Sequence, residues 1–336
     1  MPGQERRLPP RPQTVDHYTI TPDDIPNILG ATRCHRDGIT GDGIVVGIVD
    51  SGFYNHKYFE IRKTEWLQQY NTSAWNSPTT AHPPVRSVTG QYRMPEFDTD
   101  SSGHGTGMAA NILAVAPGIT LRLYPVQSFL ESLEAAVQQC QIISLSKHSD
   151  VTGHAAAITR YRTALRNANT NEKIIFHCAG NGNSTPWPIL NHPETVIKVS
   201  GVHRRRNGQL EASDYGRANQ GNQRSDICGL CGMTPAGAYI WLPADPDRNT
   251  VSQLMPGWNL ASGTSSATPQ VAGVCALMMQ ARAQNGMPPL NMATAKSILR
   301  RTATRVNIGQ SFDGVAANAQ WCLLVNAERA VRMAIQ

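Results

Sequence analysis

The chain has 336 residues, 40% hydrophobic and 16% charged, a composition that supports a sizeable buried core and excludes wholesale disorder. Thirty basic against 24 acidic residues leave a net charge of +6; the dense basic cluster, His203-Arg204-Arg205-Arg206 beside Asn207-Gly208, lacks interleaved aromatics or a nucleic-acid motif and reads as a solvated turn between two strands. No apolar run reaches the roughly 18 residues of a membrane-spanning helix, so neither nucleic acid nor membrane is an expected partner.

From the N-terminus, MPGQERRLPPRPQ lacks the apolar core of a secretory signal, which points to a cytoplasmic protein. Residues 1–20 are polar and proline-rich and read as a flexible arm, with residues 21–336 as one domain. TPDDIPNILGATRC is a first helix with Thr21 as its N-cap. Strand and helix signals then alternate. Apolar runs suited to buried parallel strands fall at 44–50, 120–126, 141–146, 173–180 and 195–202. Helical patterns fall at 105–113, 129–140 and 155–169, and again at roughly 266–284, 291–304 and 325–335. Such alternation predicts an α/β fold with a mostly parallel sheet. Residues 60–100 and 216–235 read as insertions in loops beside the carboxyl ends of the strands, where α/β folds carry their sites. Glycine (28) and proline (22) are frequent enough for many tight connections.

Seven cysteines without regular spacing, and no signal, favour free thiols. Cys228 and Cys231 form an isolated CxxC. Zinc would need a second ligand pair, and none is present at suitable spacing. The pair reads as two ordinary thiols in a loop, with a local disulfide as the alternative.

Three segments carry chemistry. Gly47-Ile48-Val49-Asp50-Ser51-Gly52 is a strand ending in a carboxylate. Ser102-Gly103-His104-Gly105-Thr106-Gly107 places a histidine where a helix begins. Gly263-Thr264-Ser265-Ser266-Ala267-Thr268-Pro269 places a serine at another helix start. These residue types suit nucleophilic acyl transfer: a hydroxyl needs an imidazole to remove its proton, and the imidazole needs a carboxylate to fix its tautomer. Each segment alone also reads as an ordinary turn or helix cap.

Together and in this order, the segments resemble the subtilases, the subtilisin-like serine proteases; Asp…His…Ser is the known subtilisin order. The resemblance runs from about residue 25 to the C-terminus. It implies a three-layer subtilisin-like α/β fold, its mostly parallel central sheet flanked by helices, and a serine endopeptidase acting on peptide or protein substrates through Asp50, His104 and Ser265. Cys178-Ala179-Gly180-Asn181-Gly182-Asn183 resembles the oxyanion segment, which gives Asn181 the role of oxyanion donor with Asn183 as competitor. Residues 142–146 resemble the strand that pairs with an extended peptide. Ser146, Lys147 and His148 would then form one side of the specificity pocket and Ala179 and Gly180 the other.

The chain also departs from the family. Lys147 and His148 stand where an apolar residue and glycine are usual; a cation there would favour an acidic substrate side chain, and the ordinary alternative is a solvent-pointing lysine. Gly107 replaces a frequent second histidine, so helix packing is expected to differ there. The loop that holds a tight calcium ion is missing, so no cofactor is expected. Asp98 and Asp100 read as polar loop groups, and His177 as a hydrogen-bonded core histidine. The arm at 1–20 is either disordered or a short inhibitory segment. A peptide-binding pseudoprotease and a peptide ligase or cyclase working by acyl transfer are the alternative functions.

Overall fold

The computed structural model describes residues 18–54, 56, 58–59, 100, 102–125, 129–147, 155–181, 194–213, 225–232, 238–244, 257–307 and 321–336. In chain order its elements are β1 (Tyr18–Ile20), α1 (Ile25–Leu29), α2 (Ala31–Arg36), β2 (Val45–Asp50), α3 (His104–Val115), β3 (Thr120–Pro125), α4 (Phe129–Gln139), β4 (Ile142–Leu145), α5 (Ala155–Thr170), β5 (Ile174–Cys178) and β6 (Ile197–Arg204). There follow β7 (Leu210–Ala212), β8 (Ile227–Leu230), β9 (Ala238–Pro243), β10 (Trp258–Ala261), α6 (Thr264–Gln284), α7 (Met292–Thr302), β11 (Thr304–Asn307), β12 (Trp321–Leu324) and α8 (Ala327–Ala334).

The five expected strands are adjacent and parallel, in the order β3-β2-β4-β5-β6. The sheet continues through β8 and β12 to β11, with β7 antiparallel on β6. The basic cluster lies at this β6–β7 hairpin, closed by Arg205 N–H to the Gln209 carbonyl at 2.8 Å. A second sheet joins β1, β9 and β10. Strand β1 therefore takes Tyr18–Ile20, the last residues of the expected arm, into a parallel pairing with Ala238–Ile240; residues 1–17 lie outside the described residues.

Helices cover both faces of the large sheet, which is why its strands are continuously apolar. Val46 and Ile48 of β2 join the core made with α3 and α6, whereas Val49 joins Leu133, Tyr161 and Leu165 of α4 and α5. Because side chains alternate along a strand, Asp50 continues the Val46–Ile48 face. Val49 pairs with Leu145 and Leu145 with His177. The next residues, Asp50, Ser146 and Cys178, thus form one row across three strands on the α3–α6 side.

Helices α3 and α6 are tied together by buried amides. Gln270 Nε2 donates to Asn111 Oδ1 and to the Leu230 carbonyl, each at 2.9 Å, and Gln270 Oε1 accepts from Leu230 N–H at 2.8 Å. Asn111 Nδ2 donates to the Gly107 carbonyl at 3.1 Å. At Gly107, Leu242 of β9 sits where a side chain would begin, 2.9 Å from the position of a Cβ.

Three local expectations are corrected. The first helix is two short helices broken at Gly30, whose φ of 77° is left-handed, and Asp24 is its N-cap; the Thr21 N–H and hydroxyl instead donate to the Asp24 carboxylate at 2.8 and 3.0 Å. Residues 227–230 within the expected insertion are a buried sheet strand. The CxxC thiols are accordingly not in a loop. At a separation of three along a strand, Cys228 and Cys231 face opposite sides of the sheet, and Cys231 lies against Gly201. All seven cysteines are free, and geometry excludes the local disulfide.

Burial pushes the thiols of Cys34, Cys178 and Cys231 up to about 12 and that of Cys140 to about 11. Raised thiols stay protonated and unreactive near neutral pH. A disulfide-exchange titration at pH 8 is therefore expected to count seven thiols in denaturant and far fewer in the native protein, where six are buried and the half-buried Cys322 is itself raised by its Cys228 neighbour and by burial. Two missing thiols in denaturant would reveal a disulfide.

Candidate active site

The site is assembled where β2, β4 and β5 end and α3 and α6 begin. Asp50, the last residue of β2, is fully buried, and its Oδ1 accepts from Ser51 N–H at 2.7 Å and His104 Nδ1 at 2.6 Å. A carboxylate can only accept, so Nδ1 carries a proton, and in the neutral ring Nε2 keeps its lone pair. His104 is the first residue of α3, with 26% of its side chain exposed.

Close approach of α3 to the end of β2 requires a glycine after the histidine. A Cβ on Gly105 would stand 2.1 Å from the Gly52 carbonyl oxygen and 3.1 Å from Asp50 Cβ. The approach is locked by a second carboxylate. Asp100, read from the sequence as a polar loop residue, is fully buried. It accepts from the Ser51 hydroxyl at 2.8 Å, the Thr106 N–H at 2.9 Å and the Thr106 hydroxyl at 2.7 Å. Ser51 Oγ in turn accepts from Gly105 N–H at 3.1 Å and Ser102 Oγ at 2.9 Å. Asp100 thereby binds the turn after Asp50 to the first turn of the histidine helix. The available sequence signal was the combination of Asp100, Ser51 and Thr106, hydroxyls placed beside both catalytic candidates. Asp98 lies outside the described residues.

Ser265 is the second residue of α6 and almost buried. Pro269 stands four residues later and has no N–H, so the Ser265 carbonyl lacks its intrahelical donor. The Ser146 hydroxyl supplies one at 2.9 Å. Reciprocally, the Ser265 hydroxyl donates to the Ser146 carbonyl at 2.9 Å. The nucleophile candidate thus rests on the end of β4. Cys178, from the same row, lies against Ser265 and Asp50, and burial followed by the Asp50 charge raises its thiol.

Asn181 is exposed just beyond β5. Its Oδ1 accepts from the Thr264 N–H at 2.8 Å and the Thr264 hydroxyl at 2.9 Å, which leaves Nδ2 as its free end. The Thr264 hydroxyl also accepts from Gly180 N–H at 3.2 Å. Gly263, with φ of 105°, is needed here: a Cβ would stand 2.6 Å from Asn181 Nδ2. Asn183 and His148 lie outside the described residues.

The expected peptide-pairing strand needs correction. Residues Ile142–Leu145 are paired on both edges, with β2 and with β5, so no backbone groups remain there for an added strand. Ser146 and Lys147 follow the paired part of the strand. Ala179 and Gly180 follow β5 at the same level, both half-buried.

Two further histidines have defined surroundings. His177 is fully buried between the Cys178 carbonyl at 2.8 Å and the Tyr161 hydroxyl at 3.1 Å, as expected of a core histidine. His56 Nδ1 accepts from Tyr58 N–H at 3.1 Å and its ring meets Trp258 edge-on at 5.3 Å. Among the described residues no group of three or more His, Cys, Asp or Glu is arranged to hold a metal ion, and no helix is long and apolar enough to cross a membrane.

The sequence profile of the subtilase family, peptidase family S8, matches residues 41–319, a span containing Asp50, His104, Asn181 and Ser265. The chain belongs to the subtilase family. It is 24% identical over 311 residues to subtilisin DY of Bacillus licheniformis, covering 85% of this chain and 92% of that one. It is likewise 24% identical over 323 residues to subtilisin BL of Lederbergia lenta, covering 90% and 96%. Among solved structures, a lanthipeptide protease superposes with a TM-score of 0.62 at 19% identity, covering 90% of each chain. The prenylagaramide maturation protease PagA superposes with a TM-score of 0.57 at 20% identity, covering 91% and 98%. These two likenesses establish the fold alone.

Asp100→Ala leaves the Ser51 and Thr106 donors without their buried acceptor. Hydrogen bonds to charged groups contribute about 1.5–3 kcal/mol each and orphaned buried donors add to the loss, so urea denaturation is expected to show a loss of about 3 kcal/mol. Asp100→Asn, which keeps one acceptor oxygen, should recover part of it. Unchanged stability in Asp100→Ala would mean that the carboxylate does not hold the two segments together.

Proposed function

We propose that this subtilase is a serine endopeptidase that hydrolyses peptide bonds in peptides or proteins through an acyl-enzyme on Ser265. The observation that carries the reading is the 2.6 Å contact between His104 Nδ1 and the buried Asp50 carboxylate, which makes Nε2 the basic nitrogen of the neutral ring, at the start of the helix facing the Ser265 helix. His104 takes the Ser265 proton as the hydroxyl oxygen attacks the substrate carbonyl carbon, and the resulting imidazolium is stabilised by Asp50. The same proton passes to the leaving amine as the peptide C–N bond breaks. Water then attacks the ester with His104 as base, releasing the acid and restoring Ser265.

Negative charge develops on the carbonyl oxygen in the tetrahedral intermediate. Asn181 suits its stabilisation because Thr264 holds the amide oxygen and directs Nδ2 outward. The Ser265 backbone N–H, in the first turn of α6 and lacking an intrahelical acceptor, is the second donor. In the resting structure the Ser265 hydroxyl donates to the Ser146 carbonyl, so catalysis requires it to turn to His104 Nε2. An extended substrate can release it: a backbone N–H of the peptide replaces the hydroxyl as donor to Ser146, one residue past the paired part of β4. Catalytic hydrogen bonds are often incomplete before substrate binds. The resting hydroxyl position also favours a second reading, a peptide-binding protein whose serine is never activated.

A fluorophosphonate probe separates the two. The peptidase is expected to give a stoichiometric adduct on Ser265, absent in Ser265→Ala and strongly slowed in His104→Ala. Asn181→Ala is expected to lower kcat on peptides by about 10²–10³, the cost known from removing one such donor in a subtilisin, with little change in KM. Folded wild-type protein without an adduct would leave the binding reading. Product masses lacking the added water would indicate transfer to an amine instead of hydrolysis.

A further inference from the structure

The charge at the crest of the sheet is uneven. The two carboxylates of the site, Asp50 and Asp100, are fully buried and already hold His104, Ser51 and Thr106. Lys147, directly after Ser146, is half-buried. Among the described residues it has neither an ion-pair nor a hydrogen-bond partner. Cations elsewhere in the fold are paired: Arg160 is held by Glu131 and Glu134 at 2.9 and 2.6 Å, and Lys296 by Asp226 at 2.8 Å. A partly desolvated ammonium is favoured by a carboxylate brought beside it by a ligand.

The position of Lys147 makes that ligand the substrate. Ser146 O lies 2.9 Å from the Ser265 hydroxyl oxygen, and Lys147 is the next residue along an extended chain that advances about 3.3 Å per residue. Since Ile142–Leu145 are paired on both edges, a peptide whose carbonyl reaches Ser265 passes over Ser146 and Lys147 and no earlier part of β4. A lysine has the reach to meet a side chain of that peptide near the bond being cut.

From this juxtaposition we propose that Lys147 is a specificity residue selecting peptides with aspartate or glutamate close to the scissile bond. The proposal rests on the peptidase reading and narrows it from peptides in general to acidic cleavage sites. Being only half-buried, the pair is partly screened by salt.

The test is cleavage of a positional-scanning peptide library by the full-length wild type, Lys147→Ala and Lys147→Glu, with fluorophosphonate labelling of each as a check on the nucleophile. The expected wild-type result is about a tenfold higher kcat/KM for an acidic than for a basic side chain at one position flanking the cut, reduced by added salt. Lys147→Ala should abolish the preference and Lys147→Glu should reverse it. Cleavage without acidic preference, or a preference that survives in Lys147→Glu, overturns the proposal and leaves the peptidase reading intact. No cleavage of any library member, together with no adduct on folded protein, overturns the peptidase reading and this proposal with it.

Discussion

A carboxylate taken wholly out of water must be met by donors or it destabilises the fold that buries it. Asp50 imposes that requirement at the end of β2. Its Oδ1 takes the Ser51 N–H and His104 Nδ1, so the strand end, the turn after it and the start of α3 have one permitted arrangement. Asp50 Oδ2 has no partner among the described residues, which places more weight on the bonds that Oδ1 does make. Asp100 repeats the device from the other side of the turn, holding Ser51 and Thr106. The histidine is oriented because two buried charges have to be satisfied together.

The candidate nucleophile, Ser265, is held by a different constraint. Pro269 removes the N–H that would cap the Ser265 carbonyl within α6, and the Ser146 hydroxyl replaces it. A missing helix hydrogen bond is thereby converted into a link between α6 and the end of β4. Glycines permit the remaining approaches, Gly105 against Gly52 and Gly263 against Asn181. At both points a methyl group would separate segments that here lie in contact. Deeper in the core, Gln270 and Asn111 fix the register of α6 on α3, so the two helix starts carrying Ser265 and His104 cannot slide independently.

Much of this was legible in the sequence because it is periodic or local. The five apolar runs became five neighbouring parallel strands, and the helices at 129–140, 155–169 and 266–284 fell close to their observed bounds. Strands β8 to β12 are not evident in the sequence; all but β9 are only four residues long. Their pairing is supplied by distant neighbours: β8 owes its place to β6 and to Gln270. The same holds for the CxxC pair, whose spacing suggests a loop until the sheet places its two thiols on opposite faces.

The sequence by itself determined the chemistry on offer: a carboxylate at a strand end, a histidine and a serine at helix starts, and an asparagine after a buried strand, in the subtilase order. Residue type, strand period and helix start are properties of neighbours in the chain. Only the tertiary structure decided that Asp50, Ser146 and Cys178 share one row of the sheet, that Asp100 is a buried clamp, and that Ile142–Leu145 have no free edge. Those facts depend on which strands pair and in what register, a choice made by burial and hydrogen-bond satisfaction across residues far apart in sequence.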